Sequence, residues 1–407
     1  MKLVSERLQW YLNKIWQSDD IRKNVEKGLY NIDLIIEKEW NISNQDTHVS
    51  WNIYTSILKW DISKKTFAKV KFSQPEFIAD GINMTKKSTE FYWEKLVKVE
   101  EIGESGNVNE LVSKIEKMEL CGKKVGLIAR IHANLFLSEE GVLTLQNRNL
   151  YICTIKNVLS IAQGQAFFSK SISGVQEYIT IKIKSSKLIK KYPGVLQNRM
   201  DVIIEPGVSS LVIHELCHTF EKDSLAALVG KKITNELISI KDEPFADDSW
   251  ANRRFDDMGN LLSTCYVIKQ GILCNVGTRF EKRRLFCESD RKRFMINTSL
   301  LSSSYDINIK DILDATRSGI ILSEVVGAFN DGKNIVLRRC TFREICKGKT
   351  SDAYYISEIS FKIADVFKCL VPLGKENKQV NGLCTNQYEV SYSAPFMELK
   401  HISIDNT

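Results

Sequence analysis

Hydrophobic spacing along the chain changes character several times. Over residues 1 to about 40 it is helical: Leu8, Tyr11, Leu12, Ile15 and Trp16 recur at intervals of three and four, and Ile21, Val25, Leu29 and Ile32 repeat the stripe. That period predicts two amphipathic helices packed on a sheet edge. From Ser50 the runs WNIYTSILKWDI and FAKVKF alternate, which predicts strands joined by polar turns. Residues 86–99 return to helical spacing, the polar run from Gly103 to Asn109 breaks the pattern, and Leu111 to Met118 predict a short helix. KKVGLIARIHANLFLS follows as strand and GVLTLQNRNLYICTI as another pair, with Gly141 at a hairpin position between them. Two more strand-like runs flank Gly174.

A linker or short helix then leads into DVIIEPG, a predicted strand, and places the main domain boundary near 180–200. Residues 1–190 are expected to form an N-terminal domain and 191–407 a C-terminal one. PGVSSLVIHELCHTFEKD, Pro206 to Asp223, predicts a helix whose first turn buries Leu211, Val212 and Ile213. Asp242, Glu243, Asp247 and Asp248 suggest a solvated loop. Leu261 to Ile268 and Ile272 to Val276 predict a hairpin around Gln270-Gly271, and a basic patch runs from Arg279 to Arg293. Residues 306–319 suggest a short helix ended at Gly319. Strand texture follows from Ile320, then a helical ISFKIADVFKCL, then alternation to the end. The fold class expected is α+β: an N-terminal α/β domain with amphipathic helices and a β-rich C-terminal domain.

Composition sharpens this. A chain of 407 residues with 43% hydrophobic and 26% charged content is that of a globular protein able to bury a sizeable core. No segment reaches the roughly 18–20 apolar residues of a membrane span. The start turns charged too early for a signal peptide, so the expectation is cytoplasmic, with no membrane association. In that compartment the ten cysteines are expected to remain thiols. The net charge of +7, from 57 basic against 50 acidic residues, is dispersed, so direct nucleic-acid binding is not expected. Neither GxGxxG nor GxxxxGK[ST] occurs, which argues against nucleotide-driven chemistry.

The candidate chemistry lies in HELCH. On a helix His214 and His218 share one face, where two imidazoles can bind zinc, and Glu215 can reach the metal's water. A catalytic zinc usually takes three protein ligands and a water, so a third must come from elsewhere. Glu221 lies about 10 Å along the helix from His214, which suits a supporting role better than ligation. Cys217 points about 100° away from His218 and suits the core. Downstream, Cys265, Cys274, Cys287, Cys340, Cys346, Cys369 and Cys384 form no CxxC pair, and spacing does not choose among them. Cys384 differs in lying in a polar stretch, NGLCTN. His132, among apolar neighbours, is expected to be a hydrogen-bonded strand residue, and His48 lies in a polar loop stretch. With a third ligand present, zinc would lower the pKa of its water and polarise a carbonyl, Glu215 would act as general base, and the reaction would be peptide hydrolysis.

The order of these motifs resembles the TldD/PmbA family of zinc metalloproteases, also described as modulators of DNA gyrase. EPGVSSLVIHELCHTFEKD resembles its catalytic helix, FDDMGNLLSTCYVIKQGILCNVG its Asp-Asp-x-Gly turn and hairpin, RFMINTSL its Arg-Met-Thr-Asn segment, TRSGI its helix-ending Gly, and NGLCTN its Gly-x-Cys loop. The resemblance implies zinc held by His214, His218 and Cys384, with Glu215 as general base in a β-rich C-terminal metallopeptidase domain. It further implies an N-terminal domain for dimerisation and substrate enclosure, a homodimer or a heterodimer with a related chain, and small or unfolded polypeptides as substrates. The alternative within the same family is a non-catalytic or weakly active partner subunit. Three departures stand out: HELCH has three residues between its histidines where the family usually has four, CTNQYEV lacks the family's loop glycines and lysine, and the chain ends HISIDNT without the usual glycine pair.

Overall fold

The computed structural model describes residues 30–61, 66–69, 99–102, 107–120, 123–138, 141–157, 166–184, 189–221, 223–246, 249–253, 256, 261–277, 285–286, 292–293, 297–302, 309–384 and 388–406. Seven described strands form the first sheet: β1 (Tyr30–Ile42), β2 (Thr47–Asp61), β3 (Thr66–Lys69), β4 (Val99–Ile102), β5 (Lys123–Ser138), β6 (Gly141–Asn157) and β7 (Ala166–Ser169). Their order is β3-β2-β1-β5-β6-β4, with β7 also on β6. Helices α1 (Val108–Glu116) and α2 (Ile172–Lys184) cover one face. Alternation places Leu127, Ala129, Tyr151 and Cys153 on that face, against Leu111 and Ile115 of α1 and Val175 and Ile179 of α2. The Asn107 side chain caps α1 by accepting from the Glu110 amide at 3.3 Å.

Three local expectations change here. The helical stripe predicted up to residue 40 gives way to strand from Tyr30, because this segment pairs along its whole length with β2 on one side and β5 on the other. Two neighbouring ladders outweigh a weak local preference. The predicted helices over 1–29 and over most of 86–99 lie outside the described residues. GVLTLQNRNLYICTI is one continuous strand rather than a pair. After Gly174 the run expected as strand is helix α2: Ile179 and Ile183 are buried at helical spacing while Ile181 between them is 55% exposed, so ITIKIK only mimics strand alternation.

The second sheet has fourteen described strands. Those that position the site are β8 (Arg199–Ile204), β9 (Ile238–Asp242), β10 (Cys265–Lys269), β11 (Ile272–Leu273), β12 (Asn297–Ser302), β13 (Ser318–Glu324), β14 (Asn334–Cys346), β15 (Tyr354–Lys362), β16 (Leu370–Cys384) and β17 (Tyr388–Ser403). They run in the order β11-β10-β9-β12-β17-β8-β13-β14-β15, with β16 paired along β17. Helix α3 (Pro206–Cys217) packs on this sheet, burying Val208, Val212 and Leu216 in one core with Val202, Leu322 and Met397. Helices α4 (Ile309–Ala315) and α5 (Ile363–Cys369) are short. The architecture is α+β, mostly strand. No helix among the described residues is long and apolar enough to cross a membrane.

Asp242, expected in a solvated loop, is fully buried at the end of β9, because the pairing of β9 between β10 and β12 carries it inside. Asp247, Asp248 and all of the basic patch except Lys292 and Arg293 lie outside the described residues. Helix α4 stops at Ala315, and Gly319 instead sits within β13 beside Asp201, whose carbonyl oxygen a Cβ would strike. The predicted helical run ISFKIADVFKCL is strand to Lys362 and helix only from Ile363. The β10–β11 hairpin turns at Gln270 and Gly271, with φ of 49° and 76°. A Cβ on Gly271 would lie 2.5 Å from the Thr234 carbonyl oxygen and 2.9 Å from that of Asn235. Gly271→Ala is therefore expected to destabilise the fold by about 2 kcal/mol or more, since strain and collision act together. Thermal unfolding with an unchanged Tm would contradict this.

The other face of the first sheet meets residues of the second part of the chain. Leu150, Ile152 and Phe168 pack with Trp250, Ala251 and Leu383, and the Phe168 and Trp250 rings lie 4.9 Å apart. His132 on β5 is hydrogen-bonded, as its strand setting suggested, through Nδ1 to Glu389 at 2.8 Å.

Candidate metal centre

Strand β8 delivers the chain to α3 through Glu205 at the N-cap and Pro206, whose missing N–H costs nothing in the first turn. Ser209 and Ser210 then fasten that turn to the neighbouring hairpin: Ser209 Oγ donates to the Pro395 carbonyl at 2.5 Å and Ser210 Oγ to the Lys378 carbonyl at 3.0 Å. The α-helix ends at Cys217, and His218 opens a tighter 3₁₀ turn to Glu221. Even so, the two imidazoles meet, with ring centroids 4.6 Å apart and Nε2 atoms at 3.2 Å. The last residue of β16 arrives at the same point: Cys384 Sγ lies 3.5 Å from His218 Nε2. One donor atom from each of His214, His218 and Cys384 lies within 4.8 Å of the others.

The surroundings orient these groups. Glu221 Oε2 lies 2.9 Å from His218 Nδ1. Burial opposes the charged imidazole of His218, but hydrogen bonds to Cys384 and Glu221 outweigh it and raise its pKa well above the usual value. Glu215 is 8% exposed, and burial pushes its carboxyl up to about 7, against the opposing charge of His218 and with the help of Glu221. Asn330 Nδ2 donates to the Glu215 carbonyl oxygen at 2.7 Å and to Thr219 Oγ1 at 3.1 Å, which secures the backbone where the helix changes pitch. Cys217 is fully buried in the core behind the helix, and Glu221 serves as a hydrogen-bond partner of His218.

Sequence reasoning missed Tyr392. Its ring stacks on His214 with centroids 5.0 Å apart and 28° between planes. Burial, reinforced by the nearby charges of Glu215 and Cys384, raises its hydroxyl pKa far above the ordinary value. Nothing in EVSYSA marks this tyrosine out; only the register of β17 beneath α3 brings it to the site.

The donor set fits zinc. Zn–N distances of about 2.0–2.1 Å and a Zn–S distance of about 2.3 Å give tetrahedral N···N and N···S edges of about 3.4 and about 3.6 Å. The observed 3.2 Å between imidazole nitrogens and 3.5 Å between Cys384 Sγ and His218 Nε2 lie within about 0.2 Å of those edges, while the three donors as a set lie within 4.8 Å of one another, so His214 and Cys384 would draw closer on a shared ion. Two imidazoles and a thiolate would supply the three protein ligands usual for a catalytic zinc.

Residues 197–406 match the family model described as the PmbA/TldA metallopeptidase C-terminal domain, more than half of the chain. No curated protein sequence matches the chain. Among solved structures, TldE from Thermococcus kodakarensis is similar with a TM-score of 0.61 and 15% identity, over 94% of this chain and 98% of that one. A protein from Bacteroides thetaiotaomicron described as a candidate modulator of DNA gyrase has a TM-score of 0.61 and 12% identity, over 96% and 100%. A similarly described protein from Thermotoga maritima has 0.60 and 13%, over 98% and 100%. At these identities the likeness is one of fold.

Proposed function

Because the chain belongs to the TldD/PmbA family of metallopeptidases, we propose that it is a zinc-dependent peptidase that hydrolyses small or unfolded polypeptides. The observation that supports this most is the convergence of His214, His218 and Cys384 beside the buried Glu215. His214 and His218 would hold the metal through Nε2 and Cys384 through its thiolate. When bound, zinc would supply Lewis-acid polarisation of the scissile carbonyl and lower the pKa of a water towards neutrality. Glu221 fixes the tautomer of His218, since an Nδ1–H donated to its carboxylate leaves the Nε2 lone pair free. Glu215, in this reading, takes the attacking water's proton on a carboxylate oxygen and returns it to the leaving amine nitrogen. Tyr392 keeps the His214 ring in place by stacking.

The wider reading is a dimer, of two copies or with a related chain, that encloses this site. No disulfide joins the eight described cysteines, which fits a reducing, cytoplasmic compartment. The direct test is incubation of the zinc-loaded protein, alone and with a related chain, with unfolded polypeptides, read by mass spectrometry. Metal-dependent cleavage is expected, and intact polypeptides in both arms would overturn the assignment. Glu221→Ala is expected to weaken zinc binding about 10- to 100-fold by releasing the His218 ring. Chelator competition measures it, and unchanged affinity would remove Glu221 from the site.

A further inference from the structure

The hairpin that ends at Cys384 has two faces with different duties. Directly paired residues of β16 and β17 project to the same side, and successive residues to opposite sides. Gly382 and Tyr392 therefore share the side of α3 with Cys384: a Cβ on Gly382 would lie 2.7 Å from the Tyr392 hydroxyl. Leu383, Asn381 and their partners Glu389 and Ser391 face the other way, towards the first sheet. There Asn381 Nδ2 donates to the Phe168 carbonyl of β7 at 3.2 Å, and Leu383 packs into the apolar joint around Trp250.

Glu389 sits across from Leu383, one residue from the Cys384 rung, with its side chain 2% exposed. His132 Nδ1 lies 2.8 and 2.9 Å from its two oxygens, and Arg130 Nη1 lies 3.2 Å from Oε1. Arg130 is itself anchored within the first sheet, where its Nε donates to Glu37 at 2.7 Å. Arg130 and His132 alternate onto the same face of β5, so both reach one carboxylate. A charge this deeply buried is tolerated only while its partners stay in place. The hairpin thus cannot shift relative to β5 without stranding the Glu389 carboxylate away from water, while Arg130 would keep Glu37.

We propose that Glu389, held by Arg130 and His132, is a positioning residue that fixes the depth at which Cys384 meets His214 and His218, so that the N-terminal sheet sets the affinity of the metal centre. This rests on the metal site argued above. The physical link is the strand itself: Glu389 and Cys384 lie on adjacent rungs, and a displacement of one carries the other.

Cobalt(II) titration of the full chain tests it, because the thiolate-to-cobalt absorption band reports the bond to Cys384 separately from affinity. Glu389→Gln, which preserves shape and removes the charge, is expected to bind cobalt about tenfold more weakly with a diminished thiolate band, the lower end of effects from residues that orient ligands. Leu127→Ala, on the opposite face of the same sheet, supplies the control: it loses stability but should leave the band and affinity unchanged. Affinity within twofold of wild type for Glu389→Gln, or equal losses in both variants, would overturn the proposal. His214→Ala separates the two levels of the argument: cobalt retained there refutes the metal site itself, whereas cobalt lost there and kept in Glu389→Gln refutes only the positioning role. Should Glu389→Gln not fold, hydrogen exchange on the wild-type chain decides. Linkage is reciprocal, so metal loading should slow exchange along β5 around Arg130 as well as in the hairpin, and a β5 indifferent to metal would overturn the coupling.

Discussion

Glu215→Gln is expected to lower kcat for peptide cleavage by about 10²- to 10⁴-fold while leaving the zinc content unchanged. The amide occupies the same volume, so the helix and the three donor atoms beside it should be undisturbed. What it removes is the ability to accept a proton. Burial already pushes the carboxyl up to about 7, with the charge of His218 opposing the shift and that of Glu221 assisting it. Steady-state cleavage of an unfolded fluorogenic peptide, with elemental analysis of the same samples, checks both halves. Cleavage at the wild-type rate would refute the general-base assignment; loss of zinc would show that Glu215 acts on the metal instead.

Cys384→Ser is expected to reduce bound zinc from about one per chain to a small fraction, and cleavage with it, because a serine hydroxyl is a poor ligand for a borderline-soft cation. Cys217→Ser provides the comparison. Cys217 is adjacent to His218 in sequence but lies fully buried in the core, so its replacement should cost stability and leave zinc bound. Equal zinc in the two variants would refute the choice of Cys384. Removal of metal by a chelator should abolish cleavage in the wild type, and added zinc should restore it.

The two histidines were legible because their relation is local: a helical period brings residues four apart together whatever the rest of the chain does. Glu221 was legible for the same reason, at i+3 from His218. Cys384 was not, since no spacing rule links residues 166 apart, and it was singled out only through resemblance to a family motif. The structure brings it to His218 through the pairing of β16 with β17 and the packing of α3 across them. Tyr392 and Glu389 carried no signal at all, because each owes its place to strand register alone.

Strands with strong alternation, β2 and β5 among them, were evident from the pattern, and so was the short helix α1. Tyr30–Ile42 and the Ile172–Lys184 helix were misread in opposite directions, since both contain isoleucines at spacings that satisfy either period. Asp242 was misread because polarity suggests solvent, while two flanking strands placed it inside.

By itself, then, the sequence determined the mixed α and β character, the pair of imidazoles with its neighbouring carboxylates, and the lack of an apolar run long enough for a membrane helix. These depend on interactions within a few residues, which composition and period express directly. Only the tertiary structure decided which thiol meets the imidazoles, which ring stacks on His214, and that a buried ionic cluster joins the first sheet to the hairpin of Cys384. Those depend on register and on the packing of one sheet against another, where the free energy comes from surfaces far apart in the chain and no short window of sequence records the match.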